Sequence, residues 1–206
     1  MDEKKMTGLL KNRLPGLIDA SGRYAVLVPV VKRPTGDTLL YEVRSSRLQS
    51  QPGEVCFPGG RMEKGETIEE CALREAYEEL NLPPDKVQIL GQLDFLAPRG
   101  NFLVHPVLAV IDGDTADALI PSEDEVEEIF EVALDWLPNT RPVEYSYTLK
   151  PEFGDNFPYD DLGIDETYNW RHGVEEGPSY HWQDKIIWGM TGKITRHLLR
   201  LLEKIK

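Results

Sequence analysis

Residues 60–82 read GRMEKGETIEECALREAYEELNL, and their centre carries the signals of a helix. Thr67 and Glu70 have capping-box spacing, and Pro83-Pro84 stand just past the other end. Between them Ala72, Leu73, Ala76 and Leu80 gather on one apolar face. At about 100° per residue, Glu78 falls opposite that face, while Glu75 and Glu79, one turn apart, fall toward one flank. Three carboxylates thus crowd one stripe, which costs a few tenths of a kcal/mol (roughly 0.2–0.5) per like-charged pair. A bound divalent cation would reverse that penalty, because hard ions such as Mg²⁺ prefer carboxylate oxygens. A solvated acidic face is the plainer reading, and it accounts for Glu69, Glu70, Glu78 and Glu79. It does not account for Gly59-Gly60 ahead of the helix or for Arg74 beside the acids. The stretch therefore reads as a metal site bordering a cleft.

The surrounding chain has 206 residues, enough for one sizeable core, and a single domain over 1–206 is expected. Its 40% hydrophobic and 29% charged residues are those of a soluble globular protein. A formal charge of −13 argues against broad binding to nucleic acid. It also means that an anionic substrate needs a metal or local arginines to offset repulsion. No apolar run approaches the length of a bilayer span, and the start MDEKKMTGLLKNRLPG has no signal-peptide core. A cytoplasmic protein without a membrane partner is expected. Cys56 and Cys71 lie in different elements without metal-ligand spacing and read as small buried thiols.

A short helix over 3–14 is expected to end at Pro15-Gly16. Residues 24–31 form a near-continuous apolar run that suits a buried strand, although Pro29 inside it belongs at an edge or bulge. Residues 34–37 read as a turn, followed by a strand over 38–44. Further strands are expected over 87–96, 102–111, 128–133 and 143–149 from β-branched and aromatic enrichment. Residues 154–180, rich in Gly, Pro and Asp, read as one long loop whose Phe157, Tyr159, Tyr168 and Trp170 anchor it or stack on a base. A last helix is expected over about 184–206, with Ile187, Met190, Ile194, Leu198 and Leu201 at helical spacing and Gly189 and Gly192 weakening its first turns. These elements point to an α/β domain with a mixed sheet.

Gly60, Glu66, Arg74, Glu75, Glu78, Glu79 and Leu82 resemble the Nudix box, the signature of the Nudix hydrolases. That box is glycine, five residues, Glu, seven residues, then Arg-Glu-apolar-x-Glu-Glu-x-Gly-apolar. Asn81 stands where the box has glycine, and Asn is the next most tolerant residue of the left-handed conformation that ends a helix. The resemblance implies a Nudix fold, with a mixed β-sheet sandwiched between α-helices and the glutamate helix at the active edge. It also implies hydrolysis of a nucleoside diphosphate linked to another moiety, with Mg²⁺ or Mn²⁺ as cofactor. Phosphoryl transfer needs charge neutralisation and positioning more than covalent chemistry by the protein. On that resemblance Glu75 and Glu79 are the leading metal ligands, and Glu78 is a further ligand or the water-activating base. Arg74 orients a carboxylate through a bidentate pair, and Glu66 is a supporting or additional ligand. Gly59-Gly60 lets the main chain approach metal and phosphates closely. Glu125, Glu127 and Glu128 are candidates for a ligand or base from a later loop, against the alternative of a solvated turn.

Upstream, LYEVRSSRLQSQPGEVCFPGG (residues 40–60) looks like the extra motif of the coenzyme A pyrophosphatases within that superfamily. Their pattern is Leu-Leu-Thr-x-Arg-Ser, three residues, Arg, three residues, Gly, three residues, Phe-Pro-Gly-Gly. Leu40, Arg44, Ser45, Gly53, Phe57, Pro58, Gly59 and Gly60 match in register, whereas Tyr41 and Glu42 replace Leu-Thr and Gln49 replaces the second arginine. A charge-assisted hydrogen bond is worth about 1.5–3 kcal/mol, so the lost arginine matters if it held a phosphate. Arg47, two residues earlier, would point to the same side of an extended segment and stand in for it. Arg44, Ser45, Arg47, Gly53, Gly59 and Gly60 are accordingly the expected substrate-binding residues. The implied substrate is coenzyme A, with ADP-ribose, ADP-sugars or dinucleotides as alternatives and a non-catalytic nucleotide-binding module as a rival class. Phe57 reads as a core residue and His105 as structural; His172, His181 and His197 have no ligand spacing.

Overall fold

Two long apolar strands form the centre of the molecule, seen in a computed structural model that describes residues 2–11, 13, 18, 21–98 and 101–204. β1 (Gly22–Lys32) and β6 (Phe102–Asp112) run parallel, in continuous register from Gly22 opposite Phe102 to Lys32 opposite Asp112. β2 (Thr38–Arg44), β3 (Val55–Cys56), β4 (Gly59–Arg61), β5 (Gln88–Gln92) and β7 (Val126–Ala133) add antiparallel partners and make one mixed seven-stranded sheet. β2 and β4 share the same side of β1: β4 covers Tyr24 to Val26, and β2 covers Val30 and Val31. Leu27 N–H reaches Pro58 O in the interval at 2.8 Å, and Pro29, two residues on, directs its missing N–H to that same side. The proline therefore sits where the strand changes partner, which resolves its place in a central strand.

Alternation along the strands splits the core in two. Ala25, Leu27, Leu40, Val107 and Ala109 pack on one face against Ala72, Ala76 and Leu80 of α2 (Ile68–Leu80). Val28, Leu39, Tyr41 and Val43 pack on the other against Ile194, Leu198 and Leu199 of α6 (Gly189–Glu203). The sheet is thus sandwiched between helices, as the sequence predicts. Tyr41 Oη and Thr195 Oγ1, 2.9 Å apart, satisfy each other inside the second layer.

α2 begins and ends on the signals read in the sequence. Thr67 Oγ1 accepts from Glu70 N–H at 3.2 Å, and Glu70 Oε2 accepts from Thr67 N–H at 2.8 Å. Asn81 closes the helix at φ 55°, ψ 33°, where an L-residue with a branched or bulky side chain is strained. Asn81→Ala is expected to cost about 1 kcal/mol and Asn81→Gly to be neutral or slightly stabilising. Urea unfolding of the two variants checks the order.

Three expectations are corrected. The first helix, α1, spans Glu3–Leu10 rather than 3–14, and its expected stop at Pro15-Gly16 lies outside the described residues. The loop over 154–180 contains α5 (Tyr159–Leu162) and gives way to β9 (Gly173–Trp182), which pairs antiparallel with β8 (Val143–Leu149). The last helix does not start near 184: β10 (Lys185–Ile187) first pairs with β9, turned by Gln183 at φ 54°. α6 then runs Gly189–Glu203. The remaining elements are α3 (Gly113–Asp117) and α4 (Trp136–Asn139). In the loop that remains, Phe153, Phe157, Tyr159 and Trp170 pack on one another ring on ring at 4.6–6.1 Å. Among the described residues no helix is long and apolar enough to cross a membrane.

Candidate active site

Gly59 and Gly60 press the main chain between β1 and α2. A Cβ on Gly59 would stand 2.3 Å from Ala25 O, and one on Gly60 would stand 2.4 Å from the Glu75 carboxylate. Only glycine fits the first approach, which is to main chain; the second is to a side-chain end. Gly59 N–H donates to Glu79 Oε2 at 2.7 Å, so the turn holds one glutamate and abuts another.

Arg74 organises the outer acids. Its Nε and Nη2 donate to the two oxygens of Glu66 at 2.8 and 3.2 Å, a bidentate pair. Nη1 lies 2.9 Å from Glu75 Oε1 and donates to Glu78 Oε2 at 3.1 Å. Nη2 also donates to Arg61 O. Arg74 therefore contacts Glu66, Glu75 and Glu78 at once. The guanidinium holds the Glu66 carboxyl below its ordinary range, with a smaller contribution from Glu63 N–H. Glu78 is exposed, whereas Glu79 is buried. Burial raises the Glu75 carboxyl above its ordinary value against the pull of Arg74, and burial with the Glu42 charge raises that of Glu79.

Glu42 is the residue that the sequence reading missed. It occupies the threonine position of the upstream motif, shares the α2-facing side of β2 with Leu40, and is 1% exposed. A charged residue inside an apolar strand run is the one local hint of it, and which face it takes is not local information. Its Oε1 accepts the Cys56 thiol at 3.2 Å, and its Oε2 has no hydrogen-bond partner. Cys71 is buried as expected, whereas Cys56 is only partly so.

The later acids separate. The Glu125 charge acts on Glu42, Glu75 and Glu79. Glu127 accepts from Ser46 N–H at 3.1 Å, and Glu128 pairs with Lys185 at 2.6 Å. Of the three, Glu125, exposed ahead of β7, is the one whose charge acts on the α2 acids.

The upstream motif divides as well. Arg44 donates to Ser50 O from Nε and Nη2, both at 3.3 Å, at the rim of a cleft of about 380 Å³. Cys56, Tyr145, Tyr147, Trp188 and Lys193 also line it. Ser45 is buried and braces the turn ahead of β7, through its N–H to Glu125 O at 2.8 Å and its hydroxyl to Glu123 O at 3.4 Å. Gly53, at φ 73°, returns the chain from β2 to β3 with its N–H on Arg44 O. Arg47 does not lie along an extended segment: the chain turns after Arg44, with Leu48 N–H on Ser45 O, and Arg47 pairs with exposed Asp124 at 3.1 Å. The geometry that would let it replace the missing arginine is absent. Phe57 is core, stacked on Tyr41 at 4.8 Å.

Among the described residues no three acidic, histidine or cysteine side chains already converge on one ligating point, since Arg74 holds Glu75 and Glu78 aside. The donor set still fits a hard cation: it is oxygen-only, two of its carboxylates are buried, and one buried oxygen lacks a partner.

Acidic side chains stand against a glycine turn, on a mixed sheet between helices. The NUDIX domain family matches residues 22–153, and the chain belongs to that family. It is 32% identical to Nudix hydrolase 3 of Caenorhabditis elegans over 97% of this chain and 82% of that one. It is 47% identical to the Nudix hydrolase NudL of Pectobacterium atrosepticum, over 84% and 79%. It is 32% identical to the mitochondrial coenzyme A diphosphatase NUDT8 of Mus musculus, over 98% and 88%. A MutT/nudix family protein from Enterococcus faecalis shares the fold, with TM-score 0.54 at 15% identity, over 98% of this chain and 70% of that one. The chain is a Nudix hydrolase acting on diphosphate linkages, of a family that works on nucleoside diphosphate derivatives and generally uses divalent metals.

Proposed function

We propose that this hydrolase cleaves the diphosphate of coenzyme A or its derivatives, giving 4′-phosphopantetheine and adenosine 3′,5′-bisphosphate, with Mg²⁺ or Mn²⁺ as cofactor. The observation that carries this reading is the upstream motif, which resembles the coenzyme A pyrophosphatase pattern at Leu40, Arg44, Ser45, Gly53, Phe57, Pro58, Gly59 and Gly60 and borders the cleft at Arg44 and Cys56. Mouse relatives named as coenzyme A diphosphatases support it. The cytoplasmic setting expected from the sequence belongs to the same proposal.

Glu75 and Glu79 would hold the cation, with Glu78 as a further ligand. When bound, the cation would neutralise charge on the phosphate oxygens. Gly59 N–H keeps Glu79 aimed, and Arg74 holds Glu66, Glu75 and Glu78 in place. Arg44 lies at the cleft rim to meet a phosphate, and the rings of Tyr145, Tyr147 and Trp188 offer faces to the adenine or a wall to the pantetheine arm. A water attacks one phosphorus, the anhydride P–O bond breaks, and the water proton passes to a carboxylate, Glu78 or Glu125.

Turnover of coenzyme A, ADP-ribose and diadenosine polyphosphates, with products weighed by mass spectrometry, tests the substrate. Coenzyme A is expected to be preferred and to yield 4′-phosphopantetheine; a preference for ADP-ribose overturns the choice. The second reading, an ADP-sugar or dinucleotide pyrophosphatase, is favoured by one observation: exposed Gln49 occupies the arginine position while Arg47 is tied to Asp124.

A further inference from the structure

The period-2 alternation of β2 sends Glu42 to the sheet face covered by α2, into the acidic pocket rather than to solvent. Charges of both signs act on it there: the Arg44 guanidinium, which also donates to the Ser50 carbonyl, favours its ionised form, while Glu125 and Glu75 oppose it and its own charge acts on Glu79. One carboxylate oxygen takes a weak thiol donor, and the other is buried with no partner. A buried carboxylate among carboxylates is tolerated when a positive group completes it.

We infer that Glu42 is a further cation-binding carboxylate of this site, which the helix signature does not include. The inference rests on the proposed cation site at Glu75 and Glu79. A strand residue is held more rigidly than one on a loop, and Glu42 lies on β2 under the α2 helix that carries Glu75 and Glu79. Strand and helix would then each contribute oxygens to one hard cation, of the class of Mg²⁺ or Mn²⁺. Binding would fasten α2 to the sheet, so the cation is expected to raise stability as well as support catalysis.

Binding of Mn²⁺ to the substrate-free protein, followed by the electron paramagnetic resonance of the free ion, tests this alongside melting temperatures. Glu42→Gln keeps the shape and an oxygen for the Cys56 thiol. It is expected to weaken Mn²⁺ binding tenfold or more, to melt no lower than wild type without cation, and to gain less from added Mn²⁺. Wild-type Mn²⁺ affinity in Glu42→Gln overturns the inference, and so does a lower cation-free melting temperature. If Glu42→Gln does not fold, Glu42→Thr, the residue of the upstream motif, takes its place under the same criteria. Glu79→Gln separates the two readings. Loss of Mn²⁺ there, with wild-type affinity at Glu42→Gln, defeats only the inference; wild-type affinity in both defeats the cation site itself.

Discussion

Exchanging Glu79 for glutamine is expected to lower diphosphate turnover about a thousandfold or more, roughly 4 kcal/mol of barrier. The side chain keeps its volume, and the amide oxygen can still accept the Gly59 N–H, so the turn ahead of α2 need not move. What disappears is the charge proposed to hold the cation. Because Glu79 is buried close enough to feel the Glu42 charge, losing it also relieves repulsion in the cation-free protein. The variant is therefore expected to melt at or above the wild-type temperature without cation while losing activity, a combination that a folding defect does not produce. Steady-state kcat with coenzyme A and Mg²⁺, beside a thermal melt, reads both. Unchanged turnover would remove Glu79 from the cation site.

The contrast between Glu79 and Glu42 marks what the sequence can express. α2 is legible almost to the residue, because its signals are local: a capping box spans three positions, and the left-handed stop falls on Asn81. Its flank of acids follows from helix periodicity alone. Glu42 becomes visible only once β2 is known to pair with β3 and β7 and one of its faces is known to lie under α2. That is non-local information.

The same distinction explains the misread C-terminal half. β8 is rich in β-branched and aromatic residues and was expected at Val143–Leu149, where it lies. Its partner reads GVEEGPSYHW, with two glycines, a proline and two glutamates that propensity assigns to a loop. Pairing with β8 overrides that preference. Ile187 has helical spacing with the residues after it, yet it ends β10 and packs into the sheet-facing core. Arg47 failed for a local reason: the chain leaves strand geometry after Arg44, so two residues no longer return to the same side.

Adjacent glycines at the turn are expected to fail in different ways. In Gly59→Ala the new methyl meets main chain, 2.3 Å from Ala25 O and 2.6 Å from Val26 Cα, with φ at 158°. Neither neighbour can rotate away, since Val26 pairs with β6 on its other side. The cost is expected to reach about 3 kcal/mol of folding stability. In Gly60→Ala the methyl meets the end of the Glu75 side chain, 2.4 Å from its carboxylate. A side-chain end can swing, so stability is expected to fall by less than about 1 kcal/mol. The swing, however, pulls Glu75 from Arg74 Nη1, now 2.9 Å away, and from its place in the pocket. A displacement of about 1 Å at a positioning group can cost about a hundredfold in rate, the loss expected for Gly60→Ala. Urea midpoints should therefore place Gly59→Ala well below Gly60→Ala, while kcat falls in both, because a shifted Gly59 N–H also disturbs Glu79. Full turnover in Gly60→Ala would mean that the placement of Glu75 does not govern the rate, and wild-type stability in Gly59→Ala would mean that the turn is not pinned to β1.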